Sequence, residues 1–429
     1  MSAPRLLRQS AVAALWILAL TFPLAGIRVA DGRVQIRDDA FLLAGAVFLG
    51  GLARGLSDPL GKSLRWIRRG KKPAASSSDD ARATRSMWRS AFFAAITILI
   101  LLSLPFWGSE REMCKYVDVA IMTFLYAVLA LGLNVTVGWT GLLVLGHAAF
   151  FGLGAYTYAI LSLRYAIPFW VALPLGGVVA AAAGLLLGTP SLRLRGDYLA
   201  IVTLGFGEVV RYLLKNLSAI TGGEKGLPNE ALPGEIADPQ VFSVVITRPV
   251  HYYYLTLALV CLSAFFMYRL HNSRVGRAWI AIREDETAAQ AMGIDTFHMK
   301  LLAFSIGSFW AGLAGVVYAA RMNFVNPEAF KFDYSVLVLA MVILGGMGSI
   351  PGVMLGAVLL WVIPWALRDP IPALLNDYLP PAWASRMPEI QDYRVAIFGL
   401  LLVVMMVFRP QGLVASRRRQ VGLRPERAR

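Results

Sequence analysis

The residues best placed to do chemistry are polar side chains set inside long apolar runs. Glu208 and Arg211 stand three apart in Gly207-Glu208-Val209-Val210-Arg211. That spacing puts both on one helix face, within pairing distance. A charge within an apolar run of membrane length is costly unless partnered. The two therefore form a structural pair near an interface or belong to a solute path. Asn134, in Leu131-Gly132-Leu133-Asn134, fits an interhelical hydrogen bond or the same kind of path. His147 opens Gly146-His147-Ala148-Ala149-Phe150-Phe151, with no Asp or Glu in the next two turns and no second His nearby. Neither a metal pair nor a general acid–base set can form around it from neighbours in sequence. It fits a helix-end hydrogen bond or a path-lining role. With Tyr198, these residues (Asn134, His147, Tyr198 and Glu208) are the candidates for lining a translocation path.

No catalytic set emerges. The nearest phosphate cradle, Gly55-Leu56-Ser57-Asp58-Pro59-Leu60-Gly61-Lys62-Ser63, has five residues between its glycines, where a phosphate-binding loop needs four. It reads as a loop end with a basic flank. The two cysteines, Cys114 and Cys261, have no zinc spacing and define no disulfide framework. The sequence implies no metal, no cofactor bound by this chain and no enzymatic activity of its own. If transport is driven by ATP, another chain must supply the ATPase and hold its ATP and Mg²⁺.

Composition sets the frame for these side chains. The chain is 57% hydrophobic and 16% charged, with a mean hydropathy of +0.61. Soluble proteins carry about 25% charged residues. A soluble core cannot absorb so much apolar surface without exposing large patches. The formal net charge of +15 falls in short segments between apolar runs, the pattern of membrane topology rather than of a nucleic-acid face.

A spanning helix needs about 20 mainly apolar residues. Twelve runs approach that length: 10–27, 40–56, 90–107, 117–137, 146–163, 168–189, 198–214, 251–270, 300–321, 335–348, 353–368 and 394–409. The fold class is therefore an all-α, polytopic membrane bundle of about 10–12 transmembrane helices. The short run 335–348 and the glycine-rich stretch 138–146 are candidates for broken or re-entrant structure. Basic residues gather at 62–89 (Lys62 and Arg65 to Arg89) and from Arg409 to the end, which predicts that both termini are cytoplasmic. The domain reading is an N-terminal two-helix extension (1–61), a basic cytoplasmic linker (62–89), a core (90–413) and a basic cytoplasmic tail (414–429).

Glycines recur at helix-packing intervals. Gly348, Gly352 and Gly356 lie at i, i+4 and i+8, and Gly138, Gly141, Gly146, Gly152 and Gly154 form a second group. Small residues at these spacings let helix backbones approach closely. Transporters with broken helices share this feature, as do many other polytopic proteins.

One segment is too polar to span: Ser273 to Asp295, between two apolar runs. Helix formers run from Arg283 to Met292, acidic residues sit in the first turn, and Gly293 supplies a stop. The expectation is a short cytoplasmic coupling helix lying along the membrane surface, presented to a partner. An ordinary structured connector is the alternative.

This segment resembles the ATPase-contacting loop of ABC importer permeases, whose signature is Glu-Ala-Ala, three residues, then Gly. The register here gives Thr287, Ala288 and Ala289, then Gly293, with Thr in place of the Glu and Glu286 one position earlier. The wider sequence resembles the branched-chain amino acid permease family, in particular its longer subunit. The resemblance is carried by Gly132-Leu133-Asn134-Val135-Thr136-Val137-Gly138, Gly146 to Tyr156, Leu192 to Tyr198, Thr221-Gly222-Gly223, Leu344 to Ser349 and Phe408 to Leu413, in that order. It implies a permease that moves leucine, isoleucine and valine across a bacterial inner membrane. Its implied partners are a second, shorter permease, two cytoplasmic ATPases and a periplasmic binding protein. The coupling loop would comprise Arg283, Glu284, Asp285, Glu286, Thr287, Ala288, Ala289 and Gly293. A permease for urea or short amides is the nearest alternative, and an ion-driven secondary transporter a more distant one.

Overall fold

The computed structural model describes residues 27–30, 33–36, 110–192, 197–228, 236, 239–241, 244–245, 248–368, 399, 403 and 412–414. The chain divides into two compact units, one of residues 1–116 and 366–390, the other of 117–365 and 391–429. In the first, strands β1 (Ile27–Ala30) and β2 (Arg33–Ile36) pair antiparallel, with Ile27 opposite Ile36. This hairpin falls between the first two expected spans. Those spans, the runs 90–107 and 394–409, the linker and the basic tail lie outside the described residues, apart from Ile27, Gly399, Val403 and Val414.

The second unit is helical. Helix α1 (Glu110–Leu133) enters it and continues into six residues of π-helix, Asn134–Trp139. Then follow α2 (His147–Tyr165), α3 (Phe169–Ser191), α4 (Asp197–Asn216) and α5 (Pro249–His271). Two short helices, α6 (Arg274–Glu284) and α7 (Glu286–Ala291), lead to α8 (Thr296–Met322), α9 (Phe332–Gly345) and α10 (Ile350–Arg368). All eight expected spans between 117 and 368 are helices. Among the described residues, four helices are long and apolar enough to cross a membrane: Lys115–Trp139, Phe169–Ser191, Pro249–His271 and Thr296–Met322. The protein is an all-α, multi-pass membrane protein. A second hairpin, β3 (Gln240–Val241) with β4 (Val244–Val245), adds a minor strand element.

Local chemistry sets the boundaries. Pro249 opens α5, where its missing N–H costs nothing. Ser273 caps α6 by accepting from the Gly276 N–H at 3.2 Å, and Asp295 caps α8 by accepting from the His298 N–H at 3.1 Å. Helix α2 ends on Ala166 in the left-handed region, at φ 50°, with Pro168 just beyond.

The core is the packing of α8 against α2 and α3. One glycine from each helix meets there. A Cβ on Gly154 would lie 2.6 Å from Gly312 Cα, and one on Gly312 would lie 2.6 Å from Ala180 Cβ. Gly176 faces Gly154, whose Cα would stand 3.6 Å from an added Cβ. Hydrocarbon is as apolar as a leucine side chain, so burial from lipid gives little drive. Close backbone contact supplies the attraction instead. Helix α4 differs, because Tyr198, Ile201, Val209, Tyr212 and Leu213 point outward while Thr203, Val210 and Leu214 are buried.

Candidate functional site

The segment expected to form one helix from Arg283 to Met292 is two helices. The break is Asp285, at φ −157° and ψ 113°. Arg283 and Glu284 close α6, and α7 starts at Glu286. The Asp285 carboxylate accepts from the Ala288 N–H at 3.0 Å and from the Thr287 hydroxyl at 2.6 Å. A short acceptor side chain at the head of a helix competes with helix continuation and favours a cap. The Thr287 hydroxyl, followed by the Ala288 N–H, holds the Asp285 carboxyl below the usual carboxylate range. Gly293 ends α7 at φ +82°, with open space where a Cβ would stand. A substitution there would strain the backbone rather than collide.

The remaining residues of this segment divide between inward and outward roles. Glu286 pairs at 2.5 Å with Lys300, which is buried at the start of α8. The acidic group displaced by one position from the family signature thus neutralises a lysine of its own chain. Ala289 is buried, while Glu284, Thr287 and Ala288 are exposed and Met292 is 83% exposed. The exposed residues of α7, Thr287, Ala288, Gln290 and Ala291, are therefore uncharged, and one apolar knob follows them.

Arg283 turns inward. Its guanidinium donates to the carbonyl of Gly138, in the π-helical end of α1. Four residues earlier on α6, Trp279 is fully buried, and its indole N–H donates to the Met299 carbonyl at 2.7 Å. Its ring stacks on Trp139, with centroids 6.0 Å apart and planes 22° from parallel. Trp139 in turn donates to the Gly348 carbonyl at 3.4 Å, and the Gly348 N–H donates to Asn134 Oδ1 at 2.8 Å. A Cβ on Gly138 would lie 2.7 Å from the Gly348 nitrogen, so only glycine fits between the two strands of backbone. The 138–146 stretch and the Gly346–Ser349 turn after α9 thus form one joined break, with α6 fastened to it.

The four path candidates lie in different settings. Asn134 is 1% exposed and serves the break just described. His147 is 2% exposed at the first turn of α2, and its Nε2 has no hydrogen-bond partner within the protein. That nitrogen faces Gly132, 3.5 Å from where a Cβ would stand. Glu208 pairs with Arg211 at 2.8 Å, as the i, i+3 spacing implies, and Arg211 also reaches Glu328 at 3.3 Å. Tyr198 is exposed at the start of α4. Gly352 and Gly356 pack on α9, where an added Cβ on Gly356 would lie 2.9 Å from the Gly345 nitrogen. Gly348 precedes α10 and sits in the break at φ +86° rather than in that packing stripe.

Several participants escaped sequence reasoning. Thr203 accepts from the Leu145 N–H at 3.0 Å, and Ser335 from the Ala148 N–H at 2.9 Å. Together they satisfy the chain entering α2, which has no capping side chain of its own. Their partners lie 58 and 187 residues away, so no local signal exists. Trp279 had one, because it stands four residues before Arg283 on an amphipathic helix.

Comparison with known proteins places this architecture. The family model described as "Branched-chain amino acid transport system / permease component" matches residues 115–406. The chain is similar to the high-affinity branched-chain amino acid transport system permease protein LivM of Salmonella typhimurium, at 42% identity over 79% of this chain and 78% of that protein. The LivM of Escherichia coli K12 is 41% identical over 78% and 77% of the two chains. The LivH permease of Escherichia coli K12 is 28% identical over 67% of this chain and 91% of that one. No solved structure matches.

Proposed function

The chain belongs to the family of branched-chain amino acid transport permease components, and on that footing we propose that it is the longer membrane subunit of an ATP-driven importer for leucine, isoleucine and valine. The observation that carries this reading is the similarity to LivM, together with a family match over residues 115–406 that takes in the docking segment and both glycine-rich breaks. It pairs with a second, shorter permease. Two ATPase subunits dock below the permease pair from the cytoplasm, one of them against residues 283–295 of this chain, and hold the ATP and Mg²⁺, and a periplasmic binding protein delivers the amino acid. The basic segments at 62–89 and beyond 409 keep both termini cytoplasmic in the bacterial inner membrane. This subunit makes and breaks no covalent bond. Its work is to change which side of the membrane the path opens to, with the ATPases supplying the free energy through the docking segment.

Arg211, between Glu208 and Glu328, links α4 to the loop before α9. By the same topology this link lies towards the periplasmic face, opposite the docking segment.

The test is uptake of labelled leucine at low concentration in a strain lacking this chain alone and other leucine carriers, with and without plasmid rescue. Loss of uptake, restored by the plasmid and surviving a protonophore while ATP is maintained, is expected. Unchanged leucine uptake together with lost uptake of urea or short amides would refute the assigned substrate. Collapse with the protonophore would refute the ATP-driven reading.

A further inference from the structure

The docking segment does not end where a partner would touch it. Helix α6 is fastened to the membrane helices at two points: Arg283 on the Gly138 carbonyl, and Trp279 between Trp139 and the Met299 carbonyl. Both points lie on the joined break. The π-helix at Asn134–Trp139 and the Gly346–Ser349 turn are where regular i to i+4 bonding lapses. Such places absorb conformational change more readily than intact helix. Asn134 and Trp139 both bond to Gly348, so the end of α1 cannot shift without carrying the turn between α9 and α10.

Resting on the importer reading above, we propose that Arg283 and Trp279 are positioning residues that transmit movement of the docking segment to both helix breaks together. They face away from the ATPase. Arg283 supplies a directed grip on a carbonyl that a lapsed helix leaves free, and Trp279 supplies a rigid bearing against Trp139. Coupling between separated sites is carried by packed side chains and hydrogen bonds that join elements with two arrangements. Removing the grip should leave the parts working but unlinked.

The structure also supplies a test that a merely stabilising role would not pass. A Cβ built on Gly141 stands 3.9 Å from the Arg283 Cβ, within the span of about 3.5–4.5 Å that a disulfide bridges. A Gly141→Cys, Arg283→Cys pair, with Cys114 and Cys261 replaced by Ser, would therefore restore by a covalent bond the tether that loss of the guanidinium removes; because Gly141 stands at φ +76°, where a side chain strains the backbone, its ratio is read against that of the Gly141→Cys single variant. The assembled complex is reconstituted in proteoliposomes, and leucine uptake is measured per ATP hydrolysed. Reduced, the pair and the Arg283→Cys single variant should show a ratio down about tenfold, within the usual range of coupling between sites, with basal hydrolysis retained. Oxidised, the pair should recover most of the ratio, whereas Gly141→Cys alone should not respond to oxidation. A normal ratio in Arg283→Cys, or no recovery on oxidation of a pair shown to be cross-linked, would overturn the proposal. Absence of ATP-driven leucine uptake by the unmodified complex would instead overturn the importer reading.

Discussion

Replacing Gly312 by Ala should loosen the protein at its centre. The added methyl would stand 2.6 Å from Ala180 Cβ and 3.1 Å from the Gly176 carbonyl carbon. Carbon atoms rest at about 3.5–4.0 Å, so α3 must retreat by about 1 Å, and a gap of that size forfeits a quarter to a half of each lost contact. Overfilling a packed site costs about 1–3 kcal/mol. In lipid no gain from burying the methyl offsets this, because the alternative environment is equally apolar. A shift of about 2–4 °C per kcal/mol is usual for chains of 150–250 residues, so the midpoint of thermal unfolding in detergent should fall by about 2–12 °C. Gly205 provides the comparison, since nothing lies within 4 Å of its added Cβ. There Ala gains only helix propensity, worth about 0.5–1 kcal/mol, and the midpoint should hold or rise. A Gly312→Ala protein that melts with the wild type, or a Gly205→Ala protein that loses as much, would contradict the claim that glycine contact holds α2, α3 and α8 together.

Three further outcomes follow from the geometry. Trp279→Ala, which empties a fully buried site, should cost about 3–5 kcal/mol and lower the yield of folded protein, whereas Trp279→Phe should keep the stack on Trp139 and lose mainly the bond to Met299, as read by thermal midpoint and intrinsic fluorescence. Arg211→Gln strands Glu208, while Glu328 keeps Lys331, so it should destabilise more than the Glu208→Gln, Arg211→Gln double variant, with a coupling of about 1 kcal/mol in a double-mutant cycle after allowance for partial exposure. The Asp285 carboxyl titrates below its ordinary range, so its cap on α7 is fully present above the unfolded-state value of about 4 and is lost as pH falls through the lower folded value; the protection factor of the Ala288 amide, taken relative to its intrinsic exchange rate at each pH, should hold at pH 5 and fall only in stronger acid, while Asp285→Asn should remove that pH dependence.

What the sequence determined by itself was the pattern of apolar runs and the side chains that interrupt them. Eight runs between 117 and 368 became helices within a few residues of their sequence bounds, because a membrane-length apolar stretch must satisfy its backbone internally. The Glu208–Arg211 pair was legible for the same kind of reason, since the i, i+3 spacing is a property of one helix. The stop at Gly293 was equally local, a left-handed residue that glycine adopts without strain. The break at Asp285 was locally encoded too, although acidic residues in a first turn and a capping aspartate look alike until one knows where the helix starts. Tertiary structure alone decided which way the side chains turn. Arg283 and Glu284 are adjacent and both charged, yet one grips a carbonyl 145 residues away and the other is exposed. Gly348 shares its spacing with Gly352 and Gly356, but serves a turn bonded to Asn134 rather than a helix face. Helical periodicity specifies faces within one segment. Which carbonyls a π-helix leaves free, and which guanidinium arrives to take one, depend on how separate segments pack in three dimensions.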